Sequence, residues 1–107
     1  MALTRDFRAT VGNRAKRDRM FRVALLTEAL DGLLAGDVAT GKAILRDYVN
    51  ATVGFETLAK ATGTPAKSLH RMLGRAGNPR LEHFAAIVAA LAEREGVALD
   101  VRAKRAA

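Results

Sequence analysis

Lys67, Ser68 and Arg71 stand at a spacing that puts all three on one side of a helix, and their side chains can hydrogen-bond the edges of nucleic-acid bases. Arg71 can donate two parallel hydrogen bonds to O6 and N7 of a guanine, whereas Lys67 supplies a point charge to the same edge or to a phosphate. Ser68 can contact any base edge but discriminates little. This is the chemistry of recognition. Bond-breaking chemistry finds no comparable set of residues. His70 and His83 are thirteen residues apart in a chain with no cysteine and no HExxH arrangement, so they read as surface histidines and not as metal ligands. Ser68 with His70 has neither an evident acid nor a nucleophile elbow. Lys67 and Ser68 follow Ala66 and not a glycine, and Gly74 with Gly77 does not complete a dinucleotide motif. The expectation is a protein that is not an enzyme and holds neither cofactor nor metal.

Three base-reading side chains need a rigid helix beneath them, and the surrounding sequence supplies one. Leu58 and Ala59 fall on the inner face of a short helix, Gly63 breaks it, and Thr64 and Pro65 start a second. In that second helix Ala66, Leu69 and Leu73 share the inward face with Met72 beside them, leaving Lys67, Ser68, Arg71 and Arg75 outward. Residues 55–73 thus read as a helix-turn-helix able to enter the major groove of double-stranded DNA. Thr64 is expected to cap the second helix, and Gly54, His70, Arg75 and Asn78 are expected to join it in meeting phosphates. Those contacts position the protein and do not specify sequence.

The whole chain fits this expectation. Its 107 residues suit one domain, and the dominance of Ala, Leu, Arg, Lys and Glu without apolar-polar alternation favours an all-α fold of five or six helices. The absence of cysteine rules out disulfides and thiol chemistry and fits a reducing cytoplasm. No apolar run approaches the roughly 20 residues needed to span a bilayer, and no signal core follows Arg5 and Arg8. The net charge of +7 points to a polyanionic partner. It is segregated: residues 1–22 hold seven basic and two acidic residues, 63–107 hold eight and four, and the stretch between holds three and five.

Along the chain, residues 1–22 read as a basic helix or arm starting near Thr4, with Phe7 and Val11 on one side and a break at Gly12 and Asn13. The cluster of Arg14, Lys16, Arg17, Arg19 and Arg22 fits a phosphate-contacting arm or a solvated helix face, the commoner origin of such runs. Residues 23–96 form the helical domain proper. Asp18 caps a helix carrying Phe21, Leu25, Ala29 and Leu33, flanked by Leu26, Leu30 and Leu34. Gly36 ends it, and Asp37 caps an antiparallel neighbour that buries Val38, Ile44, Leu45, Tyr48 and Val49. After a loop at 74–79, a last helix from Arg80 to about Glu95 turns Leu81, Phe84, Ala85, Val88 and Leu91 inward, with Glu82, His83 and Glu93 outward, and stops at Gly96. Residues 97–107 read as a short strand, pairing with a symmetry mate, or an extended tail.

The run LAKATGTPAKSLHRML, followed by GNP and an apolar helix, resembles the lambda-repressor-like (XRE/Cro-type) helix-turn-helix superfamily. Upstream, LLTEALDGLLAGDVATGKAILRDYV is similar to the leading helix pair of the HigA-like addiction-module antidote (antitoxin) proteins. The resemblance spans most of the chain and implies a sequence-specific transcriptional regulator, with a toxin protein as a further partner. Phe55 stands where many members of the superfamily carry a glutamine that bridges phosphate and base, so Gly54 and the amides after it are the expected phosphate neighbours. Because one reading helix covers only a few base pairs, a homodimer spanning two half-sites is expected. The interface falls either on the leading helix pair or on residues 97–101. The rival reading is a protein-interaction module, toxin-neutralising or adaptor, with DNA binding secondary or absent. RNA is disfavoured because the basic face lacks aromatic side chains for stacking on bases.

Overall fold

Asp18 and Asp37 are short acceptors placed just ahead of apolar helical runs, and both cap helices. Asp18 Oδ1 accepts from the Phe21 amide at 3.1 Å and Asp37 Oδ1 from the Thr40 amide at 3.4 Å. The computed structural model describes residues 5–106, and the side chains within that range other than those of 5–9 and 11. Among these residues the fold is all-α, with six helices: α1 Arg5–Arg17, α2 Arg19–Leu34, α3 Val38–Ala51, α4 Gly54–Thr62, α5 Ala66–Met72 and α6 Leu81–Glu95. The expected cap at Thr4 and the side chains of Phe7 and Val11 lie outside this description.

α1 runs without interruption through Gly12 and Asn13, contrary to the expected break. A glycine inside a helix costs about 1 kcal/mol, but Ala15 one turn later is completely buried and its carbonyl accepts from Arg22 Nη1 at 2.9 Å. This anchorage holds the helix through its weak point. Position 22 also lies within α2, which therefore runs across the end of the basic N-terminal segment.

α2 and α3 pack antiparallel after a turn at Gly36 (φ 88°). Near the turn the backbones approach so closely that a Cβ on Gly41 would lie 2.5 Å from Leu33 Cγ and 2.9 Å from the Ala29 carbonyl oxygen. Leu26, Ala29, Leu45, Tyr48 and Val49 from this pair meet Leu58 of α4, Leu69 and Leu73 around α5, and Ile87 and Leu91 of α6 in one core. Burial of this kind is the main stabilising term in a helical domain of this size.

Three apolar positions expected inside lie outside. Val38 is 46 % and Leu81 82 % exposed, and Ala85 is also exposed. Val38 and Leu81 each open a helix beyond the edge of the core, and α6 buries its Phe84, Ile87, Val88 and Leu91 stripe, a phase that leaves Ala85 outside. Arg80 is the N-cap of α6 and not its first helical residue. Residues 97–101 form no strand; among the described residues there is none. Leu99 folds back against the core while Val101 stays 77 % exposed. Among the described residues no helix is long and apolar enough to cross a membrane.

Glu95 closes the bundle. Its carboxylate accepts from Arg22 Nε at 3.0 and 3.2 Å, from Arg22 Nη2 at 3.1 Å and from the Tyr48 hydroxyl at 2.7 Å, and its carbonyl accepts from Arg19 Nη2 at 3.3 Å. Burial alone would raise the Glu95 pKa, but the hydrogen bonds from Arg22 and Tyr48 and the Arg22 charge outweigh it and hold the carboxyl below its ordinary 4.5. Tyr48 is pushed above its ordinary 10.0, first by burial and then by its bond to Glu95. The folded state therefore favours charged Glu95 and neutral Tyr48. Stability from Glu95 is present above pH 4.5 and lost as pH falls through its lowered value; stability from Tyr48 is present below pH 10.0 and lost as pH rises beyond it. The unfolding midpoint should fall on both sides of that window, and Glu95→Gln should flatten the acid limb. An acid limb unchanged in the variant would show that other carboxylates govern it.

Candidate nucleic-acid interface

Gly63 ends α4 in the left-handed region (φ 73°), a conformation that suits glycine, and its amide donates to the Ala59 carbonyl at 2.8 Å. Two residues later Pro65, extended at ψ 141°, begins α5. The chain thus forms two short helices joined by a tight turn. Pro65 is the N-cap and not the first helical residue, because its carbonyl already accepts from the Leu69 amide at 3.0 Å while its own ψ is not helical. Thr64 does not cap α5, which starts without any side-chain cap. Because Pro65 is itself extended, the helix starts at Ala66 and the Thr64 hydroxyl lies one residue too early to cap it. The Thr64 amide instead approaches Thr62 Oγ1 at 3.4 Å.

The faces of α5 divide as its spacing requires. Leu69 and Leu73 are buried, Lys67 and Arg71 are exposed, and Ser68 is half-buried between them. Arg75 and Asn78 lie exposed in the loop beyond, on the same C-terminal side as the helix end. His70 is exposed on the same helix. Its ring packs on Phe55 with centroids 4.9 Å apart and planes tilted by 53°. Phe55, in the first turn of α4, therefore props a residue of α5 from below. Gly54 opens α4 with φ 78°, and the first turn of that helix has no side-chain cap, which leaves its amides able to meet an anion. Among the described residues no three His, Asp or Glu side chains converge as metal ligands.

Seven residues make too short a helix to persist alone, and what holds the far end of α5 comes from α3. Lys42, only 7 % exposed, donates from Nζ to the Gly74 carbonyl at 3.2 Å and to the Gly77 carbonyl. Arg46, one turn on, reaches the Leu73 carbonyl with Nη1 at 3.4 Å. Two cations thus meet the negative end of the α5 dipole, Arg46 at the C-cap carbonyl and Lys42 at two carbonyls of the loop that follows. The loop wraps so closely that a Cβ on Gly77 would lie 2.0 Å from the Arg71 carbonyl oxygen and 2.6 Å from that of Met72. The sequence reading had no role for Lys42, Arg46 or the Phe55–His70 contact. The aromatic at position 55 is visible as a departure from the resembled pattern, as is Pro65, whereas lysine-to-carbonyl bonds leave no residue pattern.

The basic N-terminal cluster divides as well. Arg14 lies over the Phe21 ring, 4.6 Å from its centroid, and pairs with Asp18 at 3.6 Å, while Arg19 and Arg22 hold Glu95. Lys16 and Arg17 remain exposed. No protein-family model, curated protein or solved structure matches the chain.

Proposed function

We propose that this chain is a cytoplasmic regulator of transcription that binds double-stranded DNA sequence-specifically, as a homodimer, with α5 in the major groove. One observation carries the reading: Lys67 and Arg71 stand exposed on a helix whose other side is buried at Leu69 and Leu73 and whose end is clamped from α3. A base-reading helix needs that combination of free donors and fixed backbone. Arg71 is the principal base-reading residue, with Lys67 and Ser68 beside it. Gly54, Arg75 and Asn78 meet phosphates, and His70 steadies the surface through Phe55. The resemblance to antidote proteins supports a regulator in preference to an enzyme.

Selection of duplexes from a random pool at about 150 mM salt, where screening acts over roughly 8 Å, tests the reading. The expected product is a palindromic site. Arg71→Ala should lose about 1 to 3 kcal/mol on that site and blur its sequence profile. Arg75→Ala should weaken all sequences alike and reduce the salt slope by about 1.8, one contact being lost from each protomer. Recovery of no preferred sequence by the wild type would overturn the proposal and favour a module that binds a protein partner.

A further inference from the structure

Where α1 and the ends of α3 and α6 meet, Lys16, Arg22, Tyr48, Thr52, Arg94 and Glu95 help to line an open groove of about 270 Å³. Three cations against one carboxylate leave an excess of positive charge. The donors on its floor are already engaged. The Tyr48 hydroxyl donates to Glu95 at 2.7 Å, the Thr52 hydroxyl to the Tyr48 carbonyl at 2.7 Å, and Arg22 to Glu95 and to the Ala15 carbonyl. Lys16 and Arg94 are different: both are exposed, and neither has a hydrogen bond or ion pair among the described residues.

This distribution selects the kind of anion. A pocket that recognises a small anionic molecule converges several free donors on it, and here the interior offers none. Two rim cations over a neutralised floor instead suit a contact that cancels charge without reading shape, as backbone phosphates require. Its position agrees. Val53 also lines the groove, and two residues further Phe55 rests on His70, the neighbour of Arg71. The start of α4 thus joins a residue that lines the groove to one that contacts α5.

We infer that Lys16 and Arg94 form a phosphate-anchoring site for the DNA strand flanking the sequence read by α5, an assignment that rests on the function proposed above. α1 then extends the DNA-binding surface from a fixed position.

The test compares Lys16→Gln/Arg94→Gln with a charge-matched pair in the C-terminal segment, Lys104→Gln/Arg105→Gln, on the duplex selected by the wild type. Unchanged melting temperatures would confirm that these exposed substitutions leave the fold intact. Loss of two phosphate contacts from each protomer of the dimer should lower the slope of log K against log salt by about 3.6, so that between 50 and 200 mM the wild type loses roughly a hundredfold more affinity than the groove variant. The sequence profile should stay the same, and the control pair should keep the wild-type slope. An equal change in the control would overturn the site in favour of net charge alone. An unchanged slope in the groove variant, with Arg71→Ala still blurring the profile, would overturn the groove while leaving base reading by α5 intact. Saturable binding of inorganic phosphate that the groove substitutions abolish, without any effect on DNA, would reassign it to a small anion. No duplex binding by the wild type would remove both proposals together.

Discussion

Gly77→Ala should destabilise the fold by about 3 kcal/mol, at the upper end of what a single added methyl does in a packed interior. The new Cβ would sit 2.0 Å from the Arg71 carbonyl oxygen and 2.6 Å from the Met72 carbonyl oxygen. Both obstacles are backbone, so no side-chain rotation relieves the clash. The loop must move away, and Lys42 then loses the Gly77 carbonyl it holds. Urea unfolding checks the magnitude, with Gly12→Ala as comparator. Position 12 lies inside α1 with nothing within 4 Å of an added Cβ, and there the same substitution should stabilise by about 0.5 to 1 kcal/mol. A Gly77→Ala midpoint equal to the wild type would mean that the loop does not hold this close approach in solution.

Lys42→Met should lose about 2 kcal/mol of stability and a larger share of DNA affinity. Methionine preserves the apolar stem, which packs where lysine's methylenes pack, and it removes the desolvation of a buried charge. Against that gain stand hydrogen bonds from a charged donor to two carbonyls, each worth about 1.5 to 3 kcal/mol, and the cost of leaving the Gly77 carbonyl without this donor, whereas the Gly74 carbonyl keeps the Gly77 amide. The balance is a net loss. Lys42→Arg should not restore the wild type, because a planar fork cannot converge on two carbonyls as a compact ammonium does. The decisive comparison is DNA affinity at a temperature where both proteins remain folded. A clamp that orients α5 predicts weaker binding and a blurred sequence profile even there. A profile identical to the wild type would limit Lys42 to stability.

How far the sequence reveals this molecule depends on the reach of each interaction. Asp18 and Asp37 cap helices through amides three residues away, and such contacts are legible because cap and helix lie in one short stretch. The inward Leu69 and Leu73, and the outward Lys67 and Arg71, follow from helical period alone. Period is ambiguous at helix ends, where Val38 and Leu81 share the apolar character of the core but extend past it. Thr64 shows a different failure: Pro65 adopts an extended ψ in place of a helical one, which leaves the threonine one residue short of the cap position. Lys42 and Glu95 were illegible because their partners lie 32 to 73 residues away along the chain, and several of them are main-chain carbonyls. Gly12 was misread because its local penalty was visible and the burial of Ala15 that outweighs it was not.

The Glu95 junction also orders assembly in time. Arg22 and the Tyr48 hydroxyl find their shared acceptor at the C-terminal end of α6, 73 and 47 residues further along. Until that helix has been synthesised, the junction of α1, α2 and α3 contains an arginine and a phenol with no carboxylate to receive them. A nascent chain halted before Glu95 can pair α2 with α3, but it cannot complete the polar seal between them and α1. Free chains truncated before and after that residue should therefore differ sharply in protease resistance. α6 acts as the latch of the first three helices, holding together elements that precede it in the chain.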